Sequence, residues 1–228
     1  MAYTATTGSP PGAHATASAA TLPAPAPTTL AGAQSGGLPG AVAIAARVHT
    51  KLAVRRAELD VLENHAASIR GTLRPRVAGA VVTLQLQGAH GWKTVSHTRT
   101  GARGRYRLSY TPRATTSVRA RVRFGGDAHD FSSRRLLGRL NSYRLAGASW
   151  YGGGGGLACG GSLTDSTIGV ANKTLPCGTL VTLRYNGRSL RVPVVDRGPY
   201  VAGRDFDLTA ATKRALGFGD TGNVWSTR

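Results

Sequence analysis

Only ten acidic residues stand in this chain of 228 residues and net charge +19, yet three of them, Asp196, Asp205 and Asp207, share the stretch VVDRGPYVAGRDFDLT. Carboxylates this scarce and this clustered are either turn-builders in a small fold or the acid groups of a cleft that works on polysaccharide. Breaking a glycosidic bond needs a proton for the leaving oxygen and something to stabilise an oxocarbenium-like centre. Hydrolases commonly meet both needs with two carboxyl groups, about 5 to 9.5 Å apart. A reaction in which the substrate's own hydroxyl attacks needs less, since one group can act as base and as acid.

Asp196 ends an apolar run, RVPVVD, where a partly buried carboxyl acquires a raised pKa suited to general acid work. Asp207 precedes an expected helix, placed to hydrogen-bond substrate hydroxyls or to complete a carboxylate pair. Both have structural readings as well. Asp196 suits the backbone of its own RGP turn or a pair with Arg197, and Asp207 suits the dipole at a helix N-terminus. Asp205 and Asp165 read as solvated turn residues.

Around these carboxylates, Trp150, Tyr151 and Tyr200 are either rings for sugar stacking or core aromatics of a small barrel. Asn172 can orient a sugar hydroxyl but has no proton to shuttle at neutral pH. The run Gly152 to Gly156 lacks the following Gly-Lys-Ser/Thr of a phosphate loop and reads as a flexible lip. Cys159 and Cys177, in the similar settings ACGG and PCGT, read as a disulfide pair, with two free buried thiols as the alternative. A bond of that span persists only in an oxidising compartment. Two cysteines without a nearby His fall short of a four-ligand metal site, and neither a metal nor a cofactor is expected.

The elements that must hold these residues differ along the chain. Residues 1–45 are Ala, Pro, Thr, Ser and Gly with almost no charge, too little apolar surface to offset ordering, and read as a disordered linker or stalk. Residues 46–144 alternate apolar with polar or basic positions in SIRGTL, VVTLQLQ, WKTVSHTRT, RYRLSY and SVRARVRF, with turns at QGAHG, GARG and TPRATT. That pattern predicts an all-β sandwich. Trp92 to Val95, Gly104 to Tyr106 and Arg121 to Asp127 resemble features of bacterial Ig-like domains of secreted proteins.

Residues 1–143 hold 19 of the 29 Lys and Arg, all six His and both Glu. The C-terminal part therefore has only aspartate for carboxylate chemistry. Period two puts Arg103, Arg105 and Arg107 on one sheet face and Arg119, Arg121 and Arg123 on another, as a solvated surface or as cationic patches for anionic wall polymers. No RNP motif, aromatic ladder or zinc-finger spacing points to specific nucleic-acid binding. No stretch reaches the ~20 apolar residues of a transmembrane helix, and no signal peptide is evident after Met1.

Residues 146–228 read as a compact barrel. LVTLRY and SLRVPVV flank an Asn-Gly turn and predict a hairpin. One short helix is expected from Ala210 to Leu216, with Thr209 as N-cap and Gly217 just past its end.

ASWYG, VANKTLPCGTLVTL, VPVVDRGPY and RDFDLTAATKRALG then resemble, in order and spacing, the rare-lipoprotein-A (RlpA)-like double-psi β-barrel domain, a relative of expansins. The resemblance covers about 80 residues from Ala148. It implies a six-stranded barrel with a groove for a glycan strand, following an Ig-like sandwich in an all-β chain. It carries the family's D-R-G-P aspartate onto Asp196 and the aspartate of its D-L-[ST] motif onto Asp207. Members active as lytic transglycosylases, which cut peptidoglycan strands without stem peptides, have a His where this chain has Asn172. They also have an acidic or amide residue where Gly161 or Ser162 stands. The expected site is therefore Asp196 and Asp207 as catalytic groups, with Asn172, Tyr151, Tyr200, Ser162 and Arg197 on the substrate. Two functions follow: a secreted or envelope protein that cleaves peptidoglycan glycan strands, or an expansin-like module that binds wall glycan without cutting it.

Overall fold

The computed structural model describes residues 46–228, and the expected linker over residues 1–45 lies outside the described residues. The first strands are β1 (Lys51–Glu58), β2 (Asp60–Leu62), β3 (Ala67–Arg74), β4 (Val81–Gly88) and β5 (Gly91–Arg99). A 3-10 turn, Ala102–Gly104, leads to β6 (Arg105–Tyr110), β7 (Thr116–Phe124) and the 19-residue β8 (Ser133–Tyr151). Then come β9 (Val170–Ala171), β10 (Leu180–Tyr185), β11 (Arg188–Asp196), β12 (Phe206–Thr209), the helix α1 (Ala210–Leu216) and β13 (Gly222–Ser226).

Strand alternation sorts the first half into two sheets that share a core. β1, β3 and β6 form a three-stranded antiparallel sheet, and β5, β4, β7 and β8 lie side by side in the larger one. Tyr106 and Leu108, Val82 and Leu84, and Val122 and Phe124 sit two residues apart on their strands and Ile69 and Leu73 four, so each pair points to the same side, into one buried cluster. The intervening residues are mostly polar or basic and face water. In this half β1, the short β2 and β8 escape the sequence reading. In β1 the charges of KLAVRRAE and a bulge between Val54 and Arg56 break the alternation, and β8 runs unbroken through Arg144, Leu145 and Ala146.

The second half closes on itself. β8 pairs with β13, β13 with β10, β10 with β11, β11 with β9, β9 with β12, and β12 returns to β8, a ring of six strands. Val181, Leu183, Val192, Val194, Phe206, Leu208 and Val224 fill its interior. The β10–β11 hairpin turns at Asn186 and Gly187 with φ of 45° and 81°, the left-handed pair that a two-residue turn requires and that Asn-Gly supplies cheaply. In α1 the Thr209 hydroxyl accepts from the Thr212 amide, and Gly217 closes the helix at φ 67°.

Because β8 serves both halves, the two cores are joined by backbone as well as by side chains. Asp60 Oδ1 accepts from Tyr143 Oη at 2.7 Å and Asn141 Nδ2 at 2.8 Å, and Asp60 Oδ2 meets Arg184 Nη1 of β10 at 3.4 Å. Asp60→Ala strands the buried Tyr143 hydroxyl, and a stability loss of about 1–3 kcal/mol in urea unfolding is the expected result. No loss would mean that β8 alone couples the halves.

Candidate active site

Three neighbouring strands carry the site. β9 lies between β11 and β12, and Ala171 is the register partner of both Asp196 and Asp207. The two aspartates thus flank one residue across two strand spacings, about 9.6 Å of sheet. On the far side of β12, Ser149 of β8 is the register partner of Asp207, and its hydroxyl donates to Asp207 Oδ1 at 2.7 Å.

Asp196 and Asp207 are held in different ways. Asp196 Oδ1 accepts two backbone amides, Arg197 at 2.8 Å and Ala158 at 2.9 Å, which fix its carboxyl group against the loop after the glycine run. Asp207 is half-buried between the core residues Phe206 and Leu208. Burial pushes its carboxyl above the usual carboxylate range, with the Ser149 bond and the Arg204 charge opposing in part. A burial-raised carboxyl, expected from the sequence at Asp196, is present at Asp207, whose backbone neighbours Phe206 and Leu208 lie in the core.

Tyr151 stands at the end of β8 beside this pair. Its hydroxyl is buried and has no partner of hydrogen-bonding geometry among the described residues. Burial first, then the nearby Asp196 and Asp207 carboxylates, push its titration well above that of a free tyrosine. A neutral O–H therefore stands near both acids and feels the Asp196 carboxylate more than that of Asp207.

The other expected substrate contacts divide. Tyr200 is 81% exposed on the loop that joins β11 to β12, hence between the two aspartates in sequence. Ser162 is exposed and bridges to Gly156, closing the glycine lip over residues 152–162. Asn172 is only 8% exposed, and its amide is spent on backbone: Nδ2 donates to the Asp205 carbonyl at 2.9 Å, and Oδ1 accepts from Leu175 at 2.8 Å and Thr174 at 3.1 Å. Arg197 turns away from the carboxylates, donating Nη1 to the carbonyls of Leu175 and Asn172 at 2.8 and 3.0 Å. Both side chains brace the loop that carries Cys177.

Cys159 and Cys177 form the disulfide, with Cα atoms 5.5 Å apart. It ties the loop carrying the Ala158 amide to the loop that Arg197 holds. Trp150 is exposed but occupied, with its indole N–H on Asp220 at 2.9 Å and the Lys213 ammonium 3.8 Å from the ring centre. Asp205 is more than a solvated turn residue. It pairs with Arg144 at 2.8 Å and accepts the Gly147 amide at 3.0 Å, and the Arg144 bond, chiefly, holds its carboxyl below the usual range. Ser149 escaped the sequence reading; its one signal was a polar residue inside the apolar run AGASWY. Among the described residues no group of three or more His, Cys, Asp or Glu is placed to hold a metal.

The closed six-strand ring with one helix and its paired aspartates define a double-psi β-barrel. Residues 145–225 match the family described as "Lytic transglycolase", and this part of the chain is an RlpA-like double-psi β-barrel domain. It is 45% identical over 75 residues to the probable endolytic peptidoglycan transglycosylase RlpA of Aquifex aeolicus (strain VF5), covering 31% of this chain and 33% of that protein. It is 39% identical over 89 residues to the endolytic peptidoglycan transglycosylase RlpA of Pseudomonas aeruginosa (strain UCBPP-PA14), covering 36% and 26%. With the RlpA of Neisseria meningitidis serogroup A the identity is 41% over 82 residues, covering 34% of each. The chain therefore spans between a quarter and about a third of the length of these relatives. No helix among the described residues is long and apolar enough to cross a membrane.

Proposed function

We propose that this protein cleaves the glycan strands of peptidoglycan in the cell envelope by an endolytic, transglycosylase-type reaction. The observation that carries the proposal is the pair of carboxyl groups flanking Ala171, one of them raised by burial above the usual carboxylate range. Asp207 protonates the glycosidic oxygen as the carbon–oxygen bond breaks. Its carboxylate then takes the proton of the substrate hydroxyl that attacks the same carbon, which closes an anhydro ring and restores the acid. Asp196, fixed by two amides, faces the positive charge that develops on the sugar. Ser149 positions Asp207, and the buried Tyr151 hydroxyl stands behind the pair of acids. The names of the relatives support the substrate class.

Incubation of the chain with stem-stripped peptidoglycan tests this, with mass spectrometry of the products beside a sedimentation assay. New anhydro-sugar ends that disappear in Asp196→Asn are expected. Sedimentation with the wall and no new ends would overturn cleavage. Tyr200→Ala removes an exposed ring at no cost to the core: wall affinity falls roughly fivefold, in line with about 1 kcal/mol per aromatic contact, while the melting temperature stays put.

One observation favours a second reading, an expansin-like module that holds wall glycan without cutting it. Asn172 stands where the resemblance implies a His for cleavage, and its amide is already spent on backbone. The same assay separates the two readings. We further propose that residues 46–144 form a basic Ig-like sandwich that meets anionic wall polymers, that residues 146–228 form the catalytic barrel, and that residues 1–45 are a linker in a secreted or envelope-held protein.

A further inference from the structure

The outward face of the β1–β3–β6 sheet is built of arginine. Register places Arg56 opposite Arg70, and Arg70 opposite Arg107, so three guanidinium groups form one row across three strands. Lys51 stands opposite Arg74 on the same sheet. Like charges directly opposed destabilise a sheet, and almost nothing here relieves them. Among the described residues the four ion pairs use Arg56, Arg144, Arg184 and Lys213. The nearest carboxylate, Glu58, is engaged by Ser68 and Arg56 and also feels the Arg70 charge.

The arginines line two adjoining cavities. One, of about 140 Å³, is bounded by Arg55, Thr72, Arg74, Arg76, Arg103 and Arg105. The other, of about 620 Å³, shares Arg55, Thr72 and Arg105 and adds Arg70 and Arg107. Arg103 is not on strand β6, as simple alternation has it; it occupies the 3-10 turn at φ 60°, which brings it to the end of the smaller cavity. None of these guanidinium groups donates a hydrogen bond to, or forms an ion pair with, another described residue.

We infer that this trough binds a linear phosphodiester polymer that carries no bases. The paired cavities extend along β3 from Arg70 past Arg74, about 13 Å of strand, longer than a single phosphate needs. Charges repeat about every 6.7 Å along a strand, which suits a chain with one anion at each such step, and each guanidinium can offer a phosphate two parallel N–H groups. The lining holds one aromatic side chain, Tyr106, buried with its hydroxyl on the Ala53 carbonyl. A strand with bases finds no ring to stack on, which disfavours nucleic acid. This deepens the reading that the basic half meets anionic wall polymers and rests on it; it is independent of glycan cleavage.

The test is fluorescence anisotropy of the full chain with labelled poly(glycerol phosphate), across a salt series, beside oligothymidylate and polyglutamate of equal charge. Poly(glycerol phosphate) is expected to bind most tightly. In Arg70→Gln/Arg105→Gln/Arg107→Gln its affinity falls at least about tenfold at 0.1 M salt, and the log–log salt slope shrinks by about 2. Arg119→Gln/Arg123→Gln, on β7, leaves both unchanged. The triple variant relieves repulsion, so its melting temperature holds or rises; the matching triple Lys variant keeps the charge and the salt slope but loses several-fold in affinity. Equal or tighter binding of oligothymidylate or polyglutamate overturns the inference. Loss through the β7 variant alone overturns this site and leaves the wall-polymer reading standing, whereas no binding to any of the three overturns both.

Discussion

Asp207→Asn is expected to lower the yield of newly cut glycan ends by about 10²- to 10⁴-fold, the usual range for loss of a positioned proton donor, while sedimentation with the wall persists. The amide keeps the shape of the carboxyl and can still accept from Ser149 Oγ, so the local fold survives and only the proton is lost. The variant also changes the pH dependence of stability. The folded carboxyl is raised above its unfolded value by burial, so the folded chain binds the proton more tightly than the unfolded chain. Stability from that bound proton is complete at pH below the unfolded pKa and is lost as pH rises through the folded one. Asn has no such loss. Urea unfolding from acidic to neutral pH should therefore show the difference between variant and wild type moving in favour of the variant. Cleavage by the wild type should fall over the same rise in pH, because the acid form is the one that works. A variant that retains cleavage would move the proton donor elsewhere, and Tyr151 would be the next residue to change.

Opening the disulfide carries the other large effect. Cys159 and Cys177 close a loop with a sequence separation of 18, and a loop of that length is worth about 3 kcal/mol when cross-linked. In a cooperative unit the size of residues 46–228 that corresponds to roughly 6–12 °C in melting temperature. Cys159→Ser/Cys177→Ser, or reduction, is expected to show this loss. Activity should fall as well, because the loop supplies the Ala158 amide to Asp196 Oδ1. The Cys159 amide also bonds the Val195 carbonyl at 3.2 Å, and Arg197 reaches Cys177 Sγ at 3.0 Å, so backbone and guanidinium share the work of holding the loop. A loss below about 1 kcal/mol would mean that those contacts hold it without the sulfur bridge.

Much of the architecture is legible in the sequence because it is local. The β10–β11 turn follows from Asn186-Gly187, the helix limits from Thr209 and Gly217, and the strand faces of β4, β7 and β11 from alternation, since each depends on neighbours in the chain. The motifs around Asp196 and Asp207 name the barrel for the same reason. Their spacing of eleven residues says nothing about their separation in space. Only the insertion of β9 between β11 and β12 sets the two carboxyls on either side of Ala171, and only the packing of β8 against β12 brings Ser149 and Tyr151 to them. That burial raises the Asp207 carboxyl is a property of the closed ring and not of the strand that carries it. Composition likewise shows that the first half is basic, but the row Arg56–Arg70–Arg107 exists through pairing register alone. Sequence fixes which residues alternate; the long-range pairings that no local pattern encodes decide which of them meet.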